Sequence, residues 1–356
     1  MAFFKFEHVR ISGMAGGVPS SVVSNATGIS SSDDYNAQAF IETTGVAERR
    51  VSPVLTTADM CYAAAERLIA DLNWNKEDIE VLVFVTQTPD YIEPATACIL
   101  QDRLGLSKDC YAEDVSLGCS GWVYGLSNVA SLIASGGCKK ALLMVGDGKR
   151  RNAEEDDPLF GWAGVVTALE YDENADPMMF HFGTDGSGFD AIIIPDGGSR
   201  YQVSSDSFEY REVEGHRWNR LQTWMKGMDV FSFGITTAPK SVKKLAEHFG
   251  FDYCSYDYLV LHQANMKMNN MIAKKLKFEN EKVPSSMYHY GNTSSASIPL
   301  TIVTELKEAV AKPTKLLCCG FGIGLSWGTV ALSVDKMIVS DIVEVNDNEI
   351  DTKHVI

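Results

Sequence analysis

The chain has 356 residues, and 31 Lys and Arg against 47 Asp and Glu give a formal net charge of −16. A whole-molecule field of that sign argues against nucleic acid or an anionic membrane surface as the main partner, while leaving room for a local basic patch. At 45% hydrophobic and 22% charged residues the chain can bury a substantial core, and its length suits two domains or one large duplicated one.

In chain order, the opening MAFFKFEHVR lacks the long apolar stretch of a signal peptide. The apolar runs are strand-length, well short of the roughly 20 residues that span a bilayer. The expectation is a soluble, cytoplasmic protein with no membrane partner. Ser12–Asp34 is rich in Gly and Ser and interrupts the pattern. Thr56-Thr57-Ala58 precedes an Ala-rich helix, and Asp78-Ile-Glu-Val-Leu-Val-Phe-Val85 follows as a strand. Gly118-Cys119-Ser120-Gly121 opens a small-residue helix that runs to Gly136-Gly137. Strand Lys140–Val145 leads into Gly146-Asp147-Gly148, and Thr167–Asp172 is a further strand. In the second half Thr236-Thr237-Ala238 precedes a helix Lys240–Phe249, followed by strand Tyr256–Leu261. Gly291-Asn292-Thr293-Ser294 opens a helix to about Val310, and strands Lys315–Cys319 and Val330–Asp335 complete the pattern.

These elements form an internal repeat. Gly118 to Gly146 spans 28 positions, and Gly291 to Gly320 spans 29. Strand, helix, strand, helix in each half predicts a duplicated α/β fold. Continuous apolar strands such as Ile79–Val85 predict burial on both faces. The repeat isolates an insertion, Lys149–Pro158, whose charge and terminal proline mark a surface loop. Gly197–Trp224 reads as a long loop or cap, and such loops are often functional. The tail after Asp335 carries excess acid and is expected to be peripheral. Eight cysteines lack metal-binding spacing. Most are expected to be buried small hydrophobes in a reducing compartment.

Cys119 and Asn292 occupy equivalent places in the repeat, each just before a helix. Ligands in α/β sheets gather beyond the carboxyl ends of strands. A cysteine at a helix N-terminus feels the positive end of the dipole, which favours the nucleophilic thiolate. Cys119 is therefore expected to be reactive rather than a packed structural residue. His262 ends an apolar strand, and Gln263, Ala264 and Asn265 follow, so that strand end is expected to face a cavity. A packed histidine is the ordinary alternative. Asn292 also suits a simple helix N-cap. Gly320-Phe-Gly-Ile-Gly324 lacks both the Lys-Ser/Thr and the spacing of a phosphate loop. Its N–H groups suit half of an oxyanion hole instead.

In combination, GCSGWVYGL, HQANMKM, YGNTSSASIPL and GFGIGLSWG resemble the ketoacyl-carrier-protein synthase III family of thiolase-like condensing enzymes. The resemblance runs from about Gly45 to Asp335 and includes Thr44-Gly-Val-Ala-Glu-Arg-Arg50. It implies a thiolase-like fold with two pseudo-symmetric halves in an α-β-α-β-α layering. The expected division is residues 1–175 carrying the cysteine, residues 176–335 carrying histidine and asparagine, and a tail of residues 336–356. It implies that Cys119 accepts an acyl group from a thioester. His262 and Asn292 would bind the thioester carbonyl of a malonyl-carrier protein and stabilise the enolate left by CO2. Ile323 N–H would complete the oxyanion hole beside Gly322 and Gly324, with Phe321 packed at the reacting centre. The resemblance implies acyl thioester substrates, an acyl carrier protein, no metal or redox cofactor, and a homodimer. Strand Ile79–Val85 and segment Pro89–Ile99 are candidate interface material. Lys267, Lys274 and Lys275 fall on one helix face that would dock the carrier, or serve as ordinary solvated surface.

The chain departs from the family's coenzyme A site. Ala39 and Thr43 stand where its tryptophan and arginine are expected, and a further arginine position falls in the acidic Glu154–Asp157 run. Phe160-Gly-Trp-Ala-Gly-Val165 replaces a GDGAGA-like segment, and Lys226 replaces a common asparagine. Loss of an aromatic stack and of cationic phosphate partners weakens coenzyme A binding, so a specialised synthase is expected. Two alternatives are acyl transfer to a hydroxyl or amine without carbon–carbon bond formation, and a non-catalytic partner of an active homologue.

Overall fold

The computed structural model describes residues 2–27, 36–148, 157–213 and 216–354. Two mixed sheets organise them. The seven-stranded sheet runs Ile338–Val339, Val9–Pro19, Gly164–Tyr171, Lys140–Gly146, Val81–Val85, Tyr111–Val115, with Val343–Val345 also on Val9–Pro19. The five-stranded sheet runs Ala2–Phe6, Met178–Thr184, Ser326–Val334, Thr314–Gly322, Tyr258–Leu261. The repeat is visible in the pairing. Val81–Val85 lies parallel to Lys140–Gly146, which is antiparallel to Gly164–Tyr171. Tyr258–Leu261 lies parallel to Thr314–Gly322, which is antiparallel to Ser326–Val334.

Alternation along these strands builds the layers. Val81, Val83 and Val85 face a central core containing Trp122, Leu126 and Val129 of helix Gly121–Ala134, Ile298 and Ile302 of helix Ser297–Glu305, and Leu316 and Cys318 of the second sheet. Leu82 and Phe84 face the opposite way, against Ala58, Cys61 and Leu68 of helix Thr57–Asp71. Leu317 and Cys319 likewise face outward, onto Val242, Leu245, Ile272 and Leu276 of helices Gly227–Phe249 and Met266–Leu276. Strands buried on both faces thus separate three helical layers, an α-β-α-β-α stack.

Several details differ from the expectations. Residues 12–19 are strand, not loop. Their glycines admit a neighbouring helix: a Cβ on Gly17 would lie 2.2 Å from the Met60 carbonyl oxygen. The tail is not peripheral, because Ile338–Val339 and Val343–Val345 pair with Val9–Pro19 and bury Met337, Val339 and Val345. At the other end of the chain, Ala2–Phe6 pairs with Met178–Thr184 of the second sheet.

The helix expected from Lys240 begins at Gly227 and contains Pro239. Proline normally breaks a helix by leaving the carbonyl four residues earlier unpaired. Here that carbonyl, of Ile235, accepts from the Lys275 ammonium at 2.8 Å. Strand Val81–Val85 is enclosed by neighbours on both sides, so the sheet edge is Tyr111–Val115 instead. Four cysteines are buried, at 61, 138, 318 and 319, whereas Cys98 and Cys254 are exposed. Among the described residues, no helix is long and apolar enough to cross a membrane.

Gly17→Ala forces Met60 and its helix to shift, and overpacking of this kind costs about 2 kcal/mol. Thermal denaturation followed by circular dichroism is expected to show a Tm several degrees below the unmodified protein; an unchanged Tm would remove close packing as the reason for glycine there.

Candidate active site

Cys119 sits one residue ahead of the N-cap Ser120 of helix Gly121–Ala134, in a turn closed by Gly121 N–H donating to the Gly118 carbonyl at 2.7 Å. His262 follows strand Tyr258–Leu261 directly, and its N–H donates to the Cys319 carbonyl at 2.9 Å. Asn292 precedes the turn into helix Ser297–Glu305. It is fastened through its N–H to the Leu159 carbonyl and through its carbonyl to Gly161 N–H. All three line one cavity of about 660 Å³, together with Phe321, Gly322 and Ile323. The structure therefore brings together residues from distant parts of the sequence.

The fit is close. A Cβ on Gly322 would lie 2.6 Å from the Cys119 Cβ and 2.8 Å from its Sγ, so only glycine lets this strand end reach the nucleophile. Ser326 pins the loop, donating to the Ile323 carbonyl at 2.7 Å and sharing a 2.8 Å hydrogen bond with Ser120. The N–H groups of Ile323 and Cys119 both favour negative charge on the sulfur. Both amides therefore point at the sulfur, as donors to an oxyanion beside it would have to. Gly324 continues the loop in a left-handed conformation, φ 135°.

His262 is 2% exposed and its ring meets Phe321 edge to face, at 5.6 Å and 87°. Nδ1 shares a 2.7 Å hydrogen bond with Ser297 Oγ. Removal from water pushes the imidazole down to about 3, against a smaller opposing effect of a backbone hydrogen bond to Ser294. The ring is neutral throughout the physiological range. Asn292 Oδ1 accepts from Ser294 N–H at 2.9 Å, which leaves its amide NH2 as the end with donors to offer the cavity.

Cys119 departs from the expectation of a lowered pKa. Enclosure raises its thiol above the ordinary value, and the nearby Asp147 raises it further. Ser294 and the two backbone amides oppose these effects without reversing them. A helix end stabilises the thiolate only as far as desolvation allows.

The remaining expected residues are placed less centrally. Lys267, Lys274 and Lys275 are exposed along helix Met266–Leu276, whose first turn reaches the cavity through Met268. Lys275 is partly committed to Ile235. Ala39 and Thr43 are exposed on helix Ala37–Thr44. Lys226 pairs with Asp190 at 2.6 Å. Of the Glu154–Asp157 run, only Asp157 lies within the described residues. Sequence pattern assigns no separate role to Ser294, Asp147 or Met225, or to Trp218 and Leu221 of the Gly197–Trp224 cap, all of which line the cavity. The available signal is a lone acid, Asp147, between two glycines at a strand end. Among the described residues, no group of three His, Cys, Asp or Glu is placed to hold a metal ion.

Two family models match the chain. The model described as 3-oxoacyl-[acyl-carrier-protein (ACP)] synthase III covers residues 113–186, and its C-terminal counterpart covers residues 247–334. The beta-ketoacyl-[acyl-carrier-protein] synthase III of Clostridium acetobutylicum is 32% identical over 334 residues, covering 92% of this chain and 99% of the relative. That of Clostridioides difficile is 33% identical over 298 residues, covering 80% and 86%. Among solved structures, a 3-oxoacyl-(acyl-carrier protein) synthase from Burkholderia xenovorans LB400 superposes with a TM-score of 0.88 at 36% identity, covering 97% of this chain and 99% of that one.

The raised thiol predicts a pH profile. Alkylation of Cys119 by iodoacetamide, followed by peptide mass, is expected to keep rising with pH through 9. A plateau near neutrality would mean a stabilised thiolate and would contradict the electrostatics described for this site.

Proposed function

The chain belongs to the beta-ketoacyl-[acyl-carrier-protein] synthase III family of condensing enzymes, and from that premise we propose that Cys119, His262 and Asn292 carry its reaction. The family catalyses Claisen condensation of an acyl thioester primer with a malonyl-acyl-carrier protein. The observation that carries the residue assignment is the single cavity shared by Cys119, His262, Asn292 and Ile323.

In the first half-reaction the Cys119 sulfur attacks the primer's thioester carbonyl. The N–H groups of Cys119 and Ile323 receive the charge on the tetrahedral oxygen. Collapse expels the donor thiol and leaves acyl-Cys119. In the second half-reaction the malonyl thioester oxygen accepts from the Asn292 amide and from the neutral His262 ring in its Nε2–H tautomer. As CO2 leaves, these donors hold the enolate oxygen, and the carbanion attacks the acyl-Cys carbonyl. Cys119 departs as the new carbon–carbon bond forms. Donors aimed at developing charge in a desolvated site are worth about 10²–10³ in rate each. Phe321, edge-on to His262, keeps the neighbourhood of the malonyl carboxylate apolar and favours its loss as neutral CO2.

The donor arrives on a carrier protein in this reading, and the enzyme is a specialised member of its family. Ala39 and Thr43 offer neither a stacking ring nor a cation on helix Ala37–Thr44. Trp162 instead lines the cavity itself. Lys267 and Lys274, exposed on the helix that leads from the cavity, supply positive charge for an acidic carrier. Cytoplasmic action as a homodimer completes the proposal, with the free edge of Tyr111–Val115 as the strand available to a second copy.

Intact-mass analysis after incubation with acyl-coenzyme A and acyl-carrier thioesters tests this directly. Acyl groups are expected on Cys119, faster from the carrier, and absent in Cys119→Ala. His262→Ala and Asn292→Ala are expected to retain acylation and to lose at least about 10² in CO2 release from malonyl-carrier protein. Label persisting in Cys119→Ala would defeat the assignment, and acylation without CO2 release would favour transfer to a hydroxyl or amine.

A further inference from the structure

One wall of the cavity holds a donor with nothing in the protein to donate to. Trp162 lines the space that contains Cys119 and is only 6% exposed. Its main chain is fixed: its N–H donates to the Arg50 carbonyl at 2.8 Å, and the preceding Gly161 N–H donates to the Asn292 carbonyl. Its indole N–H has no hydrogen-bond partner among the described residues. A buried indole ordinarily finds one. Trp122, the other buried tryptophan, donates to Thr167 Oγ1 at 3.0 Å. Trp218, elsewhere on the cavity wall, donates to the Gln222 carbonyl at 3.2 Å. The side-chain atoms sealed in protein without a partner belong to Asp90, Arg103, Asn269 and Thr293. The Trp162 nitrogen is not one of them, so it opens onto the cavity that its residue lines.

The rest of that wall supplies no competing acceptor. A Cβ on Gly148 would lie 3.6 Å from the Trp162 Cβ, which places the tryptophan beside the strand end that carries Asp147. Asp147 Oδ1 accepts from Gln87 N–H at 2.7 Å and lies 3.5 Å from Thr86 Oγ1. Its Oδ2 accepts from Ser295 N–H at 3.1 Å and from Ser295 Oγ at 2.6 Å. Gln87 in turn reaches back to the nucleophile: a Cβ on Gly118 would lie 2.6 Å from its Oε1. Trp162, Asp147 and Gln87 therefore belong to the wall adjoining the Cys119 turn. The carrier's proposed approach is along helix Met266–Leu276, from the other half of the chain. What lies against the Trp162 wall is then the acyl group on the sulfur. An N–H calls for an acceptor oxygen. A carboxylate there would meet the like charge of Asp147, so the oxygen is a neutral one.

We propose that the primer is an acyl group with a neutral oxygen on its chain, an oxo or hydroxy acyl thioester, and that the Trp162 indole N–H binds that oxygen. This rests on the acyl-Cys119 reading above and names the primer class of the same site. Trp162 acts on specificity in two ways. Its ring shapes the cavity, and its N–H separates an oxygenated chain from a plain one. A plain chain fits the same space, yet it displaces water from the N–H without replacing the hydrogen bond. A site built around a donor rejects the ligand that leaves it unpaired. At about 660 Å³ the cavity lies within the range of pockets that enclose a small ligand.

Rapid-quench intact-mass measurement of Cys119 acylation tests the assignment in the full-length protein. The probes are four thioesters on one pantetheine arm: hexanoyl and its β-oxo, γ-oxo and δ-oxo derivatives. Label on Cys119 from any of the four, absent in Cys119→Ala, first secures the acyl-Cys reading on its own. At least one oxo isomer is then expected to acylate about 10-fold faster than hexanoyl, the discrimination of one net hydrogen bond. In Trp162→Phe the ratio of that isomer to hexanoyl is expected to fall close to one, whatever the absolute rates. The comparison with the variant also removes the intrinsic reactivity of oxo thioesters. Benzothienylalanine incorporated at Trp162 keeps the bicyclic shape and exchanges N–H for sulfur. It is expected to abolish the preference equally, and it decides alone should Trp162→Phe fail to fold. The absence of any preferred oxo isomer, or a preference that survives loss of the N–H, would overturn the proposal. An equal slowing of all four thioesters with the ratio unchanged would overturn it too, by placing the indole N–H against the arm they share.

Discussion

The approach of a bare strand end to a cysteine sets the geometry of the whole molecule. Gly322 lies so near Cys119 that a single added carbon would fall inside the sulfur's own contact distance. That contact joins an element of the five-stranded sheet to the turn that follows the seven-stranded one. It requires the two sheets to be spaced by the thickness of the central helices Gly121–Ala134 and Ser297–Glu305 and no more. The buried strands serve this spacing. With Val81, Val83 and Val85 turned inward and Leu82 and Phe84 outward, neither face is available to slip by one residue. Core packing thereby brings the Ile323 N–H to the Cys119 sulfur, the placement the proposed oxyanion hole requires.

The electrostatics of the site follow from the same enclosure. Burial drives histidine toward its neutral form and the thiol toward its protonated form. The imidazole therefore carries no standing positive charge. What remains is a set of fixed, neutral donors around a space where negative charge appears transiently. Such donors cost little when no charge is present and gain strength in a water-poor cavity. This suits the proposed reaction, in which negative charge appears on oxygen in the tetrahedral adduct of the primer, on the enolate, and again in the tetrahedral adduct of acyl-Cys119.

Much of this is legible in the sequence because the relevant residues sit where hydrophobic pattern gives way to polarity. Cys119, His262 and Asn292 each follow a strand or turn and precede a helix, and the internal repeat by itself puts Cys119 and Asn292 at equivalent positions. The parts that stay hidden lack that contrast. Val9–Pro19 is glycine-rich because a helix presses on it, and close packing of bare backbone looks like a loop when only side chains are counted. The first turns of helix Gly227–Phe249 are masked by Pro239, which orphans a carbonyl that a lysine 40 residues further along the chain then satisfies. The tail strands are two and three residues long, too short for periodicity, and are fixed by pairing with Val9–Pro19. Ser294 and Asp147 are opaque for a related reason. Their places beside Cys119 rest on a backbone angle and on distances across the molecule, neither of which one residue's type reveals.

The separation of these signals bears on how substrates are told apart. The reacting centre depends on residues fixed by the two sheets, and pattern marks it with least ambiguity. In the proposed reading, recognition of the donor falls to the rim, which includes helix Ala37–Thr44, where Ala39 and Thr43 are exposed. On that reading, a rim without a stacking ring at Ala39 or a cation at Thr43 holds a nucleotide poorly, whereas a cavity walled by Trp162 and Trp218 still grips a flexible arm. Affinity then has to come from the arm and from the protein that carries it. On a chain of net charge −16, the lysines of helix Met266–Leu276 are a local exception to the overall field. Because Lys275 is drawn to Ile235, Lys267 and Lys274 are left as the pair whose charge is directed to solvent, and they stand on a helix whose first turn opens into the cavity. In the proposed reading, charge on that helix steers an acidic carrier toward the entrance its arm must use, which couples encounter rate to productive orientation without altering the chemistry inside.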